Sequence, residues 1–373
     1  MTNANPLDIS VLVAAYNVET YLDECLQSLH SQVNVNAEFI VVNDGSTDTT
    51  GQICDAYKAK DQRFRIIHKS ENEGLILARK TGIENARGRY TVFLDGDDLL
   101  SRPEALSDIV REMDLANCDI GGYSVAVFGN RPEIQQSVQQ CLAYDRASAY
   151  TSSLDILRAL YGEQRVMGWN LWSKCYRTEV LKNSVEYIPE EHIVMAEDVF
   201  LVFLFVSFST SFKVLNTAPI TNYRFGTGVS TRQNLTADQF RSIAKSLRVI
   251  KLLNGTAVKR HLSLDHFSLI QSALIHLLRS TVYSWSLLPN EHKAKAFEYI
   301  LQEGFYKETL YVVAELFASK DEAICPIMEG TANFINISSP KFSPRKPKRY
   351  KRIAHAIRDT IRNSRNYLKN KSN

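Results

Sequence analysis

The sequence lacks the signals that most often assign a chain to a class. Its six cysteines never form a Cys-x-x-Cys pair, which argues against a zinc site and a disulfide framework, so we expect reduced core cysteines. The longest apolar run, residues 199–206, is far shorter than the roughly 20 residues that a membrane-spanning helix needs. The glycine patterns of dinucleotide-binding folds and of P-loops are missing as well. Any nucleotide binding therefore needs another arrangement.

The N-terminus also lacks a secretory signal. Residues 1–8 are polar and do not show the basic and then apolar order of such a signal, so we expect synthesis to end in the cytosol. The chain has 373 residues, of which 45% are apolar and 23% charged. These values are typical of a globular protein, and the length suits two domains.

The net charge of +3 conceals an uneven distribution. Residues 341–373 hold twelve Lys and Arg against Asp359 alone, so this segment carries +11 and the rest of the chain −8. Within it, Ile353, Ile357 and Ile361 fall near one helical face. A basic amphipathic helix indicates binding to an anionic membrane surface. A solvated tail and a nucleic-acid patch remain the alternatives.

Strand and helix patterns alternate along the first hundred residues. Strands are predicted over 9–14, 39–42, 65–67 and 90–94, with helical patterns between them, the first opening at Thr20 as N-cap. Such βαβ repeats predict an α/β fold with a mostly parallel sheet. The polar clusters after the first, second and fourth strands should then lie at one edge of that sheet, where α/β proteins bind ligands.

The rest of the chain is less regular and then wholly helical. A helix is predicted near 103–113 and a strand near 120–127. Thr236 and Gln239 form a capping box that opens the helical region. Helices are predicted near 236–253, 261–286, 291–303 and 305–318. We therefore expect an α/β domain over 1–230, an appended all-α region over 231–339 and a basic tail over 340–373.

Three carboxylates end the fourth strand, at Asp95, Asp97 and Asp98 around Gly96. Like charges at this spacing repel and raise each other's pKa. A divalent cation relieves that repulsion, and Mg²⁺ or Mn²⁺ typically uses one or two carboxylates together with phosphate oxygens. A plain Asp-Gly turn followed by helix-capping acids is the alternative at this point.

Two later clusters also have two interpretations. Trp169 and Trp172, close to Lys174, form either a core aromatic pair or a platform on which a sugar ring stacks. Glu197 and Asp198 precede the apolar run 199–206. Acids there are favoured by the helix dipole, but an acid beside an apolar helix can also acquire the raised pKa of a general base.

Taken together, the motifs resemble the family-two inverting glycosyltransferases of the GT-A fold, a group that includes bacterial capsule, exopolysaccharide and lipopolysaccharide enzymes. The resemblance covers residues 9 to about 230. Its motifs are residues 10–17 (SVLVAAYN), 40–48 (IVVNDGSTD), 72–79 (NEGLILAR), 88–98 (GRYTVFLDGDD), 172–177 (WSKCYR), Glu197-Asp198 and Tyr223-Arg224.

The resemblance implies a nucleotide site after the first two strands. Asp44 is expected to bind the nucleobase, with Ala15, Tyr16 and Glu19 beside it. Arg79 is expected near the nucleotide. UDP is the usual nucleotide of the family, and we expect a UDP-sugar donor on that basis.

The resemblance also implies the reacting groups. Asp95 and Asp97 would hold the ribose and a divalent Mn²⁺ or Mg²⁺ ion, with Asp97 and Asp98 as metal ligands. Asp198 would be the catalytic base, and Glu197 its neighbour. We assign three further residues to the acceptor side: Trp169, Trp172 and Lys174.

The predicted function is metal-dependent, inverting transfer of a hexosyl or N-acetylhexosaminyl group to a hydroxyl of a glycan or lipid-linked glycan in surface polysaccharide biosynthesis. The expected location is the cytoplasm, peripherally at the inner face of the cell membrane. One alternative is a non-catalytic scaffold of the same fold that its basic tail recruits to membrane or nucleic acid. A nucleotidyltransferase is a second alternative, but it would need a glycine-rich, basic loop where residues 14–19 stand.

Overall fold

Two units make up the described part of the chain. The structure is a computed structural model that describes residues 6–129, 132–163, 165–193, 195–226 and 235–318. The first unit contains the described residues up to 226 together with 249–272, and the second contains 235–248 and 273–318. The predicted basic tail lies outside the described residues.

The elements of the first unit begin with the predicted alternation of strands and helices. Its strands are β1 (Ile9–Ala15), β2 (Ala37–Asn43), β3 (Phe64–His68), β4 (Tyr90–Asp95), β5 (Leu99–Leu100), β6 (Ile120–Gly122), β7 (Val125–Gly129), β8 (Ala149–Tyr150), β9 (Lys174–Arg177), β10 (Phe212–Val214) and β11 (Thr221–Phe225). Its helices before residue 227 are α1 (Glu19–His30), α2 (Thr50–Lys60), α3 (Leu75–Asn85), α4 (Ala105–Ala116), α5 (Pro132–Leu142), α6 (Ser153–Tyr161), α7 (Thr178–Ser184) and α8 (Glu197–Val206).

Helices alone follow in the described residues from 235 onward. They are α9 (Ala237–Lys245), α10 (Val249–Lys259), α11 (Leu264–Ser286), α12 (Asn290–Gln302) and α13 (Tyr306–Ala318). The capping box of Thr236 and Gln239 opens α9 as predicted. A 3-10 turn at Ser246–Arg248 interrupts the single helix that was expected over 236–253. Helix α10 then packs against α8 within the first unit, beyond the boundary expected near 230.

The large sheet has the order β3-β2-β1-β4-β9-β6-β10-β8. Strands β3, β2, β1 and β4 are parallel, and β9 runs antiparallel to both β4 and β6. Central strands β1, β2 and β4 are buried almost throughout, as expected for strands covered on both faces. The predicted α/β class with a mostly parallel sheet and a helical C-terminal region is confirmed.

Helices α3 and α8 cover the same face of this sheet. Gly82 of α3 lies against Leu12 of β1, and Phe205 of α8 stacks on Phe93 of β4, with ring centroids 6.2 Å apart. Helix α8 is apolar on every side and is buried from residue 199 to 206, as its composition requires. Glu197 and Asp198, at the start of α8, therefore lie at the sheet edge near α3.

Two local predictions are wrong. The strand expected over 120–127 is two strands, because β6 belongs to the large sheet whereas β7 pairs with β11 in a small sheet β5-β11-β7. The chain changes sheets after Gly121 and Gly122, where a Cβ would collide with Met113 and Phe212 respectively. Thr20 is not an N-cap, since α1 begins at Glu19, whose N–H donates to Oδ2 of Asp48 on the loop after β2.

Composition-based expectations also bear on the described residues. Four cysteines are buried and free, as predicted: Cys25, Cys54, Cys118 and Cys175. Across the residues that the structure describes, no helix combines the length and apolar character required to span a bilayer.

Candidate active site

Three loops meet at the carboxyl edge of the large sheet. They follow β1, β2 and β4, and the parallel register aligns Ala14 with Asp95. Asn17, whose φ is 49°, accepts a hydrogen bond through Oδ1 from the backbone N–H of Thr47 at 2.8 Å, which joins the first two loops. The sequence prediction that these polar segments lie together is confirmed.

Asp44 is buried at the end of β2, and its carboxylate organises the start of α3. Its Oδ1 accepts a hydrogen bond from the N–H of Glu73 at 3.2 Å, and its Oδ2 accepts one from Gly74 at 2.9 Å. The carbonyl of Ala15 accepts the N–H of Asp44 at 2.9 Å. Gly74 has a φ of 99°, a conformation that glycine adopts without strain. Asp44 therefore links the loops after β1, β2 and β3.

Tyr16 and Glu19 stand on the loop after β1 in different roles. Tyr16 is 48% exposed and lies at the sheet edge. The Oε2 atom of Glu19 accepts hydrogen bonds from the N–H and the hydroxyl of Thr49 at 2.9 and 2.5 Å. This carboxylate caps the N-terminus of α2, where the helix dipole favours an acid. The structure thus gives Glu19 a structural contact that the sequence did not predict.

Arg79 is the centre of the acidic cluster. Its Nη1 donates hydrogen bonds to Oε1 of Glu197 at 2.7 Å and to Oδ1 of Asp198 at 2.5 Å, and its Nη2 donates to Oδ1 of Asp95 at 2.9 Å. The guanidinium is buried. One side chain of α3 therefore joins the end of β4 to the start of α8. The sequence placed Arg79 near the nucleotide and missed this role.

A signal for that role was present in the sequence. Arg79 lies on the same side of α3 as Ile76 and Ile83, both fully buried. An arginine on an apolar helical face is almost never buried unless it is paired. The pattern indicated that partners exist, although it could not identify them.

The three carboxyl groups, if all ionised, carry more negative charge than the single guanidinium at their centre neutralises. Burial alone would lower the pKa of Arg79, but the charges of Asp198, Asp95 and Glu197 raise it. Burial, together with the neighbouring charge of Asp198, raises the pKa of Glu197 to about 8 against the opposing effect of Arg79. Burial also raises the pKa of Asp95. The cluster therefore retains a proton on one carboxyl group near neutral pH.

The raised pKa of Glu197 predicts how the stability of the fold depends on pH. The pKa of Glu197 is about 8 in the folded protein and near 4.5 ordinarily. The folded state therefore binds more protons between these values, and the free energy of unfolding should fall as pH rises through that window, by at most about 1.4 kcal/mol per pH unit. Glu197→Gln should flatten this decline in urea titrations at pH 5, 6.5 and 8. The exposed control Glu104→Gln should keep the wild-type slope, and a Glu197→Gln curve parallel to wild type would contradict the prediction.

Asp98 is fully buried and ties the acidic turn to β11. Its Oδ1 accepts the N–H of Arg224 at 2.7 Å, whereas among the described residues its Oδ2 has no hydrogen-bond partner. Burial, with the charges of Asp95 and Asp97, raises the pKa of Asp98 well above its usual range. Arg224 also donates from Nε to the carbonyl of Asp97 at 2.9 Å. Asp98 therefore anchors the acidic turn to β11 through Oδ1.

Asp97 lies on the acidic turn after β4 and is partly exposed, as is Asp95. No group of three or more His, Cys, Asp or Glu side chains in the described ranges is arranged to hold a metal by itself. A magnesium-type ion needs only one or two protein carboxylates when phosphate oxygens complete its shell. Asp97 fits that requirement as a partly exposed carboxylate, whereas Asp98 is buried.

The residues assigned to the acceptor side are mostly engaged in packing. Trp172 is 7% exposed and stacks on Tyr223, with ring centroids 4.6 Å apart. Trp169 stacks on Tyr161 at 5.7 Å. Lys174 is 1% exposed, with its ammonium group directed into the protein. The structure thus brings these residues close to the acidic cluster, but it turns Lys174 away from solvent, so direct contact of Lys174 with an acceptor does not fit.

Comparisons with known proteins bear on this site. Residues 10–158 match the family profile described as Glycosyl transferase family 2. A relative from Bacillus subtilis (strain 168), named "Putative glycosyltransferase EpsH", is 33% identical over 221 residues. That match covers 58% of this chain and 60% of EpsH, so the chain spans well under the full length of this relative.

Solved structures share the fold at low identity. TarS 1-349 of S. aureus in complex with UDP-GlcNAc has a TM-score of 0.52 at 19% identity, over 85% of this chain and 93% of that chain. Mannosyltransferase PcManGT of Pyrobaculum calidifontis, in complex with GDP-Man and Mn²⁺, has a TM-score of 0.50 at 13% identity, over 85% and 91%. The profile match and the relative together indicate a glycosyl transferase family 2 segment over residues 10–158, and the solved glycosyltransferase structures share the fold over most of the chain.

Proposed function

We propose that this chain transfers a sugar from a nucleotide-sugar donor to a hydroxyl of a glycan or lipid-linked glycan acceptor, with inversion, in surface polysaccharide biosynthesis. One observation carries the proposal. Arg79 binds both Asp95, on the turn proposed to hold the donor, and Asp198, the proposed base, at 2.9 and 2.5 Å. Arg79 thereby links the proposed donor turn to the proposed base.

The proposed donor site is the cleft after β1, β2 and β4. Asp44 and Tyr16 would contact the nucleobase, with Ala15 and Glu19 beside them. A UDP-sugar is the proposed donor, and the TarS complex with UDP-GlcNAc supports a nucleotide sugar in a chain of this fold. The transferred group would be a hexosyl or N-acetylhexosaminyl unit.

Asp97 would hold a divalent Mn²⁺ or Mg²⁺ ion together with the donor diphosphate. Such an ion supplies electrostatic stabilisation of the charge that develops on the leaving diphosphate. The complex of PcManGT with Mn²⁺ supports a metal in a chain of this fold. Asp98, predicted as a second ligand, would instead shape the turn from its buried position.

Asp198 would take the proton of the acceptor hydroxyl. At the same time the hydroxyl oxygen would attack the anomeric carbon of the donor, and the bond from that carbon to the diphosphate would break. Arg79 orients Asp198 through Oδ1 and leaves part of the carboxylate open, since the side chain is 22% exposed. Glu197, only 8% exposed, is held behind it on the same guanidinium. One base and one in-line displacement imply inversion, without a glycosyl-enzyme intermediate.

A donor panel tests this function. The full chain is incubated with UDP-GlcNAc, UDP-glucose and GDP-mannose, with and without Mn²⁺ or Mg²⁺, and slow hydrolysis and calorimetric binding are measured. Metal-dependent hydrolysis of one nucleotide sugar is expected. A chain that binds and hydrolyses none of them would favour the non-catalytic scaffold, which the intact set of Asp44, Asp95, Asp97 and Asp198 disfavours.

Asp97→Asn separates metal binding from nucleotide binding. Affinity for UDP in the presence of Mn²⁺ should fall at least about tenfold, because a carboxylate ligand is lost, whereas affinity for UDP without metal should change little. The matched control is Asp114→Asn, since Asp114 pairs with Arg89 at the opposite end of β4. Equal Mn²⁺ enhancement of UDP binding in Asp97→Asn and wild type would remove Asp97 from the metal site.

The tail stays a prediction. Residues 341–373 are proposed to bring the chain to an anionic membrane surface, on the strength of their net charge of +11.

A further inference from the structure

Lys174 stands at the start of β9 with its ammonium group buried. Its Nζ donates hydrogen bonds to the carbonyl oxygens of Gly168 at 2.9 Å and Asn170 at 2.7 Å. Both carbonyls belong to the turn that leads into Leu171. A lysine is almost never fully buried unless it is paired, because removing its charge from water is costly. The two hydrogen bonds therefore hold this turn in one geometry.

That turn contacts the proposed base directly. The backbone N–H of Leu171 donates to Oδ2 of Asp198 at 3.2 Å, while Oδ1 of Asp198 is bound by Arg79. Trp169, on the same turn, is anchored from Nε1 to the carbonyl of Leu160 at 2.7 Å. Both oxygens of Asp198 are thus oriented, one by α3 and the other by the backbone that Lys174 holds.

We propose that Lys174 is a positioning residue for Asp198, acting through the N–H of Leu171. The inference rests on the proposed function, because it takes Asp198 as the base that receives the acceptor proton. It replaces the acceptor contact that the sequence predicted for Lys174. A hydrogen bond from a backbone N–H stabilises the ionised carboxylate and keeps its remaining surface directed at the incoming hydroxyl.

The electrostatics agree with this geometry. Burial lowers the pKa of Lys174 to about 7, the charge of Asp198 opposes that fall, and Arg165 adds to it. The Tyr144 ring lies 5.7 Å from the ammonium nitrogen. Lysine and proposed base therefore influence each other, although no atoms of the two side chains are hydrogen-bonded in the described contacts.

The first test is Lys174→Met in the full chain. The readout is hydrolysis of UDP-GlcNAc, or of the nucleotide sugar that the panel selects, as a function of pH. We expect kcat to fall about tenfold or more with KM for the donor nearly unchanged, and the acid limb of the kcat profile to move up by about one pH unit, because Asp198 loses stabilisation of its charged form. The hydrogen bond from Arg79 to Asp198 is untouched.

Lys213→Met is the matched control. Lys213 also donates to a backbone carbonyl, that of Ala116 at 2.8 Å, but it is exposed on β10 and lies outside the proposed site. Its kcat, KM and pH profile should match those of wild type. A merely structural effect of losing a lysine-to-carbonyl bond would lower stability in both variants without moving the acid limb.

A second pair of variants tests the hydrogen bond from Leu171 to Asp198 without touching Lys174. Leu171 is the first residue of a 3-10 turn, a position that accepts proline. Asn170 before it has φ −54° and ψ 127°, an extended conformation that a following proline also allows. Leu171→Pro deletes the backbone N–H at this position. Leu171→Ala shortens the same apolar side chain but keeps the N–H. We expect the acid limb to move up in Leu171→Pro and to stay in place in Leu171→Ala.

Two results overturn the inference. One is a kcat profile of Lys174→Met whose acid limb lies at the same pH as that of wild type. The other is the same result for Leu171→Pro. Failure of the proposed function gives a different result, since wild type would then hydrolyse none of the nucleotide sugars, and failure of the base assignment alone would leave Asp198→Asn with full turnover. If Asp198→Asn is inactive while Lys174→Met and Leu171→Pro retain the wild-type limb, only the positioning role of Lys174 is excluded.

Discussion

Replacing Asp198 by asparagine should lower kcat for transfer by about 10³-fold, with donor KM changed by no more than about twofold. The amide cannot accept the proton of the acceptor hydroxyl, but its oxygen still accepts a hydrogen bond from Arg79, and only the bond from the N–H of Leu171 is lost. The loss therefore falls on the chemical step. Initial rates at saturating donor, together with calorimetric binding of UDP, measure the two effects separately.

Glu197→Gln is the control within the same dipeptide. Glu197 accepts a hydrogen bond from the same guanidinium but is held deeper than Asp198, with 8% against 22% of its side chain exposed. Its conversion to glutamine should cost much less turnover than Asp198→Asn. If Glu197→Gln abolishes transfer and Asp198→Asn does not, the base is Glu197 and the assignment is reversed.

Arg79→Met should give the largest loss of stability. It leaves Asp95, Glu197 and Asp198 together without their counter-charge, and breaking a buried ion pair typically costs about 3–5 kcal/mol. Without Arg79 the folded-state pKa values of these carboxyls rise, so the folded protein binds protons that the unfolded chain releases. The destabilisation relative to wild type should therefore be greatest near pH 8 and should shrink as pH falls toward 5. Urea denaturation at several pH values measures it.

Arg89→Met is the comparison variant, because Arg89 forms ion pairs with Asp8 and Asp114 at a more exposed position. Exposed pairs contribute less than about 1 kcal/mol, and little pH dependence is expected. Arg79→Lys should be intermediate, since an ammonium restores the charge but not the fork that reaches three carboxylates. An Arg79→Met protein as stable as wild type at pH 8 would show that the cluster does not depend on this guanidinium.

Much of the fold followed from local patterns. The alternation of β1 to β4 with helical segments was legible because period-two and 3.6-residue patterns depend on neighbours along the chain. The capping box at Thr236 and the buried run 199–206 were equally local. The split between β6 and β7 was not, because the apolar residues continue through Tyr123 and the two strands pair with distant partners, β9 and β11, in different sheets.

The site divides in the same way. By itself the sequence determined that Asp44, Asp95 and Asp97 end strands of one parallel sheet, and hence that they share an edge, because parallel topology fixes where strand ends meet. Only the tertiary structure decided which charged side chains pair at that edge. Arg79 forms an ion pair with Glu197, 118 residues away, and the side chain of Lys174 is buried. Such partners are chosen by which helices cover one face of the sheet and by the cost of leaving a buried charge unpaired, and neither is written in the spacing of residues along the chain.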